Sequence, residues 1–435
     1  MDAPTILTHL TREQSAQMKA GDTHSVIVAN MEGHVVACNT GAGKLFGYTQ
    51  KEMIGAHVKV FHPPQNFAKI LPDLFRTAMS TGKYDNVITL IDKHGNEFLA
   101  HIVVTAIRDE KNTIVGLMGV TTQAHAKREL SLIQKWHTAL RAPFFAATIV
   151  PVLLGSAIGF FHTSEFLFWP FFFTIIGMIF IHAGVNLAND YYDHKSGNDE
   201  LNQNPTPFSG GSRVIQEGII PAQHIKWAFL LCLSAGAAIG LYLNTLHEGN
   251  VILMIGLLGM GIGVFYSAPP FAASYRKLGE VFVALGFGPL IVMGSYYTQT
   301  GALDVLPLLA SIPMAILIML VLYLNQFPDF DADKKALKRN WVNTIGKQKS
   351  VKVLRAFLIF VYVFTFAMIA WKQFPAYTAM VFLTIPHAYI TYDITKKNYD
   401  KILELLPANA EMITLNFLYG VLLTSAFVLL AVQGK

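Results

Sequence analysis

Asn186-Leu-Ala-Asn-Asp-Tyr-Tyr-Asp-His-Lys-Ser-Gly-Asn-Asp199 closes one long apolar run, and Asn325-Gln-Phe-Pro-Asp-Phe-Asp-Ala-Asp333 closes another. Carboxylates are expensive close to a bilayer, so acidic residues at the ends of membrane segments signal function by default. Asn186, Asp190 and Asp193 stand at i, i+4 and i+7, which places them on one face of a helix. Asn325, Asp329 and Asp333 stand at i, i+4 and i+8 and predict a second single-face row. The rows echo each other, as two halves of a helical barrel facing one pocket would. Gly197 is the expected stop of the first row, with Asp199 on the loop beyond it.

The rest of the chain fits this frame. Of 435 residues, 53% are hydrophobic and 14% charged, against about 25% charged in soluble domains. Residues 1–125 have a soluble mixture, whereas apolar stretches dominate from 143 onward. Nine spans are expected, at 143–161, 166–188, 225–245, 250–267, 279–298, 303–325, 351–371, 374–393 and 411–432. Lys127, Arg128, Lys135 and Arg141 precede the first span, and the loops carrying Lys195, Arg213, Arg276, Lys277, Lys338 and Lys397 alternate with loops almost free of Lys and Arg. The positive-inside rule then puts the N-terminus and basic loops in the cytoplasm and the C-terminus outside. The acidic rows end the second and sixth spans, so both face the cytoplasm. Cys38 and Cys232 offer neither a disulfide framework nor a Cys metal site, and no cleavable signal peptide is evident. The net charge of +5 gathers in membrane loops, which argues against a nucleic-acid partner.

Oxygen ligands without His or Cys select hard cations. Mg²⁺ keeps several waters and is held by a few carboxylates together with substrate phosphates. Two facing carboxylate rows therefore suit a diphosphate gripped through two Mg²⁺ ions. Arg141, Lys195, Arg213, Lys277 and Lys338 are candidates to neutralise the remaining phosphate charge. A single Asp at a span end reads as a helix cap or solvated charge; two matched rows on one side do not. Ion transport is the rival reading, but transport sites usually lie near mid-bilayer in broken helices, and these residues lie at the rim.

Residues 186–199 (NLANDYYDHKSGND) and 325–340 (NQFPDFDADKKALKRN) resemble the two aspartate-rich motifs of the UbiA superfamily of intramembrane prenyltransferases. The likeness covers about residues 136–435. It implies an all-α polytopic fold of nine transmembrane helices around a central cavity. Asn189-Asp190-x-x-Asp193 followed by Gly197-x-Asp199, the stretch LGEVFVALGFGPLIVMGSYYTQTG at 278–301 and FSGGSRVIQEGII at 208–220 resemble the 1,4-dihydroxy-2-naphthoate branch of menaquinone synthesis. By position, the resemblance assigns Asn189, Asp190, Asp193 and Asp199 to one metal–diphosphate face and Asp329 and Asp333 to the other. Asn186 and Asn325 would join the diphosphate contacts, and Tyr266 in YSAPP (266–270) would help shape the acceptor pocket or anchor the interface. The implied partners are a polyprenyl diphosphate, an aromatic acceptor and the lipid bilayer of the cell (inner) membrane. Alternatives are a 4-hydroxybenzoate-like acceptor, a glycerol-phosphate lipid, or a PAS-gated transporter or receptor without catalysis. The chain departs from the family where Pro328 replaces a common Arg and where Leu337-Lys338-Arg339-Asn340-Trp341 replaces Gly-Lys-x-Thr-Leu. Phe171, Phe172, Phe173, Phe282, Phe287, Tyr296 and Tyr297 are candidates to line a prenyl tunnel, beside an ordinary packing role.

After an extension at 1–20, residues 20–125 read as a mixed α/β module with strands near 24–30, 34–39, 85–93, 97–108 and 113–122. CNTGAGKLFGYTQKEMIG, 38–55, resembles the PAS sensor family, which implies a small-molecule ligand of unknown identity or a PAS-mediated dimer. Thr49-x-x-Glu52 is a capping box. His62 and His101 are candidate haem ligands, each also readable as an ordinary core or surface His, and Cys38 lies outside a photoreactive context. An amphipathic basic linker at 126–142 would rest on the membrane surface before the membrane domain, 143–435.

Overall fold

The computed structural model describes residues 3–19, 24–123, 130–202 and 206–434. The chain forms two compact units, Met1–Leu130 and Ser131–Lys435.

The first unit is built on a five-stranded antiparallel sheet. Its strands are β1 (Ser25–Asn30), β2 (Val35–Cys38), β3 (Lys83–Ile91), β4 (Glu97–Arg108) and β5 (Ile114–Gln123), in the spatial order β2-β1-β5-β4-β3. Strand side chains alternate between faces. Ile27 joins one core with Phe46, Phe61 and Leu74, while Val26 and Val28 join Ile6, Ile107 and Met118 on the other. Asn39 ties the first crossover down: Val26 N–H and Ala42 N–H donate to its Oδ1, both at 2.9 Å. That bond also caps the helix Thr40–Phe46. Thr49 and Glu52 form the expected capping box.

The second unit is helical. Among the described residues, seven helices are long and apolar enough to cross a membrane: Ala142–Thr163, Phe168–Ser196, Ala222–Asn244, Gly279–Thr300, Val305–Asn325, Lys347–Ala370 and Ile402–Gln433. Two of the nine expected spans take another form. The stretch at 250–267 yields the 15-residue helix Val251–Phe265, roughly 22 Å long at about 1.5 Å per residue and so shorter than a hydrocarbon core of about 30 Å. The stretch at 374–393 divides into a 3₁₀ segment, Ala376–Thr384, and the α-helix Ile385–Asn398. Pro386 stands in the first turn of that α-helix, where it has no N–H to continue the preceding ladder.

Close helix approach sets the bundle's geometry. A Cβ on Gly155 would lie 2.3 Å from the carbonyl oxygen of Val292, so only glycine lets these helices touch. The largest apolar core runs from Leu154 through Met314, Leu320, Leu354 and Tyr419. A smaller one joins Ala139 and Leu187 to Val214, Ile225 and Phe229. The helix Leu132–Leu140 precedes the first span, with Ser131 and Gln134 as a capping box. Lys127 and Arg128, at the start of the expected linker, lie outside the described residues.

Candidate functional site

The helix Phe168–Ser196 runs unbroken through Asn186, Asn189, Asp190 and Asp193 and stops at Gly197, whose φ of 77° admits the left-handed cap. The short turn Asn198–Leu201 then carries Asp199 back into the fold. Asp190, Asp193 and Asp199 are 3%, 5% and 2% exposed. Such buried carboxylates require partners. Arg141 Nη2 donates to Asp190 Oδ1 and, at 3.3 Å, to Asn189 Oδ1. Asn189 Nδ2 donates to Asp193 Oδ2 at 3.1 Å and to Ser267 Oγ at 2.7 Å.

The loop after this helix wraps over the acidic face. Ser212 donates to Asp190 from both its N–H and its hydroxyl. Arg213 Nη1 donates to the Asp199 carbonyl, and Gln216 Nε2 donates to Asp199 Oδ2 at 3.3 Å. Gly211 makes this approach feasible: at φ 77°, a Cβ there would stand 3.0 Å from Asp199 Oδ2.

The second row is built differently from the expected continuous helical face. The helix Val305–Asn325 ends at Asn325, and a new short helix, Phe330–Lys335, begins after a turn. Pro328 supplies no N–H and biases Phe327 away from the α conformation, so one helix cannot carry all three residues. As a result Asn325 turns elsewhere and accepts from Asn409 Nδ2 at 2.8 Å. Asp329 and Asp333 turn toward the first row. Asn202 Nδ2 donates to Asp329 Oδ1 at 2.9 Å, and Ser209 and the Gly210 N–H also donate to Asp329. Asn340 Nδ2 donates to Asp333 Oδ2 at 2.8 Å.

Lys338 joins the two halves. Its Nζ lies 3.5 Å from Asp193 and 3.8 Å from Asp333, over the Tyr275 ring at 5.4 Å. Tyr275 in turn donates its hydroxyl to Asp193 Oδ1 at 3.0 Å. Lys277 N–H to the Arg339 carbonyl and Arg339 N–H to the Tyr275 carbonyl hold the two loops together at 2.7 and 3.2 Å. Tyr266 lies within electrostatic reach of Lys338, Asp193 and Asp333. Of the other candidates, Asn186 donates to the Leu140 carbonyl at 3.0 Å, and Lys195 and Lys277 are exposed.

The site is short of positive charge. Burial, then Asp193 and Asp190, push the Asp199 carboxyl up to about 8. Burial pushes Asp333 up to about 7 against the pull of Lys338, and raises Asp329 as well. Burial opposes the Lys338 charge, but Asp193 and Asp333 outweigh it and hold the ammonium well above its ordinary value. Asp190, Asp193, Asp199, Asp329 and Asp333 thus share the site with Arg141, Arg213 and Lys338, five carboxyl groups beside three cations, and burial favours the protonated form of Asp199, Asp329 and Asp333. The Nε of Arg141 is also buried with no partner among the described residues. An all-oxygen, electron-rich donor set fits a hard cation. Among the described residues no three or more His, Cys, Asp or Glu side chains are grouped so as to hold a metal ion by themselves.

Ser212, Gln216, Asn202, Ser267, Tyr275 and Asn340 were not legible as site residues. Ser212 and Gln216 fall within the quoted 208–220 stretch, Ser267 within YSAPP (266–270) and Asn340 at the end of the 325–340 motif, which were the available signals. In the first unit, His62 is buried against an apolar cavity lined by Phe46, Phe61, Leu74 and Leu90, and burial pushes its ring down to about 4. His101 is paired with Asp85 at 2.7 Å on the exposed part of β4.

Comparison with known proteins bears on both units. The profile of the UbiA prenyltransferase family matches residues 148–431, and that of a PAS domain matches residues 23–122. A 1,4-dihydroxy-2-naphthoate octaprenyltransferase of Bacillus subtilis is 28% identical over 240 residues, 55% of this chain and 75% of that protein. One from Haemophilus influenzae is 26% identical over 302 residues, 67% and 94% of the two chains. A solved UbiA homolog from Archaeoglobus fulgidus, bound to DMAPP and Mg²⁺, is 19% identical with a TM-score of 0.47, covering 67% of this chain and 99% of its own.

Proposed function

The chain belongs to the UbiA prenyltransferase family, and from that premise we propose that it transfers a polyprenyl group to 1,4-dihydroxy-2-naphthoate in a Mg²⁺-dependent reaction. It is a multi-pass membrane prenyltransferase with an N-terminal PAS domain. The observation that carries the finer reading is Lys338, which draws Asp193 of one acidic row and Asp333 of the other into one buried site. The named activities of the Bacillus and Haemophilus relatives support the choice of acceptor.

Asn189, Asp190, Asp193, Asp199, Asp329 and Asp333 would hold the metal. Bound there, Mg²⁺ supplies Lewis-acid withdrawal of charge from the diphosphate. The free Nε of Arg141, with Arg213 and Lys338, would take the remaining phosphate oxygens. The allylic C–O bond then breaks, its electron pair leaving with the diphosphate. The acceptor ring carbon that bears the carboxylate forms the new C–C bond, and loss of CO₂ from that same carbon returns its electron pair to the ring and restores aromaticity. The apolar bundle around the site keeps water from the prenyl cation. We place the site and N-terminus on the cytoplasmic side of the cell membrane, supported by the basic loops beside the site.

Purified protein given radiolabelled prenyl diphosphate, Mg²⁺ and candidate acceptors tests this. Prenylated naphthoate is the expected product. Transfer to a hydroxybenzoate or glycerol-phosphate acceptor alone would change the acceptor, and no product from any acceptor, with wild type equal to Asp190→Asn, would sink the catalytic reading.

A further inference from the structure

His182 is a buried polar residue in the membrane unit that the chemistry above leaves unused. It is 7% exposed and sits on the helix that carries the first acidic row. Positions 182, 186, 190 and 193 share one helix face, so His182 lies roughly 12 Å deeper than Asp190 at about 1.5 Å per residue. Two aromatic rings wall it, with Thr148 beside it and Arg141 within electrostatic reach. The imidazole meets Phe145 at 5.3 Å and Phe287 at 5.0 Å between centroids, edge-on in both cases.

Three features distinguish His182 from a core histidine satisfied by its neighbours. Thr148 Oγ1 lies 2.7 Å from Nδ1, which fixes the ring through one nitrogen. Nε2 makes no hydrogen bond among the described residues. Phe287 belongs to a π-helical turn, Gly286–Leu290, that interrupts the helix opposite. Such turns concentrate at functional positions because the extra residue re-aims side chains. Here the turn presents Phe287 to the imidazole.

A prenyl chain has no group for Nε2 to bond, whereas a polar nitrogen among apolar neighbours gains from a hydrogen-bonding partner. A planar aromatic ring bearing hydroxyl or carboxylate oxygens matches both features: aromatic walls and a single fixed polar point. Resting on the transferase reading above, we propose that His182 binds the aromatic acceptor, its Nε2 hydrogen-bonding a ring oxygen while Phe145 and Phe287 wall the ring. Thr148 is the positioning residue that fixes the imidazole.

The test compares His182→Leu with His182→Gln, which keeps a hydrogen-bonding group. Kinetics with both substrates are paired with equilibrium dialysis of 1,4-dihydroxy-2-naphthoate against each protein in detergent. His182→Leu is expected to weaken acceptor binding and raise acceptor KM about tenfold or more, with the prenyl diphosphate KM within about twofold. His182→Gln should recover most of the loss, which a purely structural role would not predict. A folded His182→Leu protein with unchanged acceptor binding would overturn the proposal, as would an equal rise in both KM values. Wild-type protein that binds naphthoate through His182 but transfers nothing would overturn the transferase reading alone.

Discussion

The two acidic rows carry the same residue types at almost the same spacing, yet they are built by different means. In the first, one helix runs unbroken through Asp190 and Asp193, so periodicity and position in space agree. In the second, Pro328 ends the helix after Asn325, and a turn with a six-residue helix re-aims the acidic residues beyond it. Asp333 then shares Lys338 with Asp193 of the first row and Asp329 accepts from Asn202 just beyond that row, while Asn325 reaches Asn409. Helical spacing establishes a shared face only where the backbone ladder continues. Beyond a proline, loop contacts decide.

If both rows grip one metal–diphosphate, their loss should be equally severe despite the different construction. Asp190→Asn and Asp333→Asn are each expected to lower kcat by about 10³, the scale of losing a preorganised electrostatic element. Asp331→Asn, which alters an exposed carboxylate of the same short helix, should stay near wild type. A thousandfold loss in one row with wild-type turnover in the other would break the symmetry and leave a one-row site. Chelation of divalent cations should abolish turnover in wild type and Mg²⁺ should restore it; full activity in excess chelator would refute metal dependence.

Lys338 offers the next largest effect, because it touches both rows. Lys338→Met should raise the prenyl diphosphate KM or lower kcat/KM by about 100-fold, since one partner of a buried charge cluster is lost. Lys338→Arg should recover part of it. If Lys338→Met changed only stability and left kcat/KM intact, the lysine would be a structural tie between loops.

The first row, the soluble sheet and most long helices were legible because their patterns are local: apolar runs, strand alternation, and one helix face. Gly197 was legible for the same reason, as a stop at the end of a periodic run. The meeting of the rows was only half legible. Span parity put both at one side of the bilayer, but the contacts depend on Ser212 and Arg213, on Tyr275 and on Asn340, which come from three loops. Loop side chains have no period, and their reach depends on left-handed residues such as Gly211 that spacing does not reveal. The two missing long spans have a similar origin. Apolar composition alone did not separate the 15-residue Val251–Phe265 helix or the break before Pro386 from a full crossing.

The smallest effect isolates the backbone of the rebuilt row. Leu337 precedes Lys338, has φ 57° and is 82% exposed, so its side chain packs against little while its backbone is left-handed. A non-glycine residue there costs about 1 kcal/mol, and glycine returns much of that saving as unfolded-chain entropy of about 0.5–1 kcal/mol. Leu337→Gly should therefore move thermal stability by only a few degrees and leave the prenyl diphosphate KM unchanged. Leu337→Ile puts a β-branched side chain at a φ it rarely adopts and should be the less stable by about 1 kcal/mol, with a modest rise in KM as Lys338 loses its placement. Equal melting temperatures and KM values for the Gly and Ile variants would show that this turn does not position Lys338. The joining of the two rows would then depend on Asn340, Asn202 and the Tyr275 loop instead.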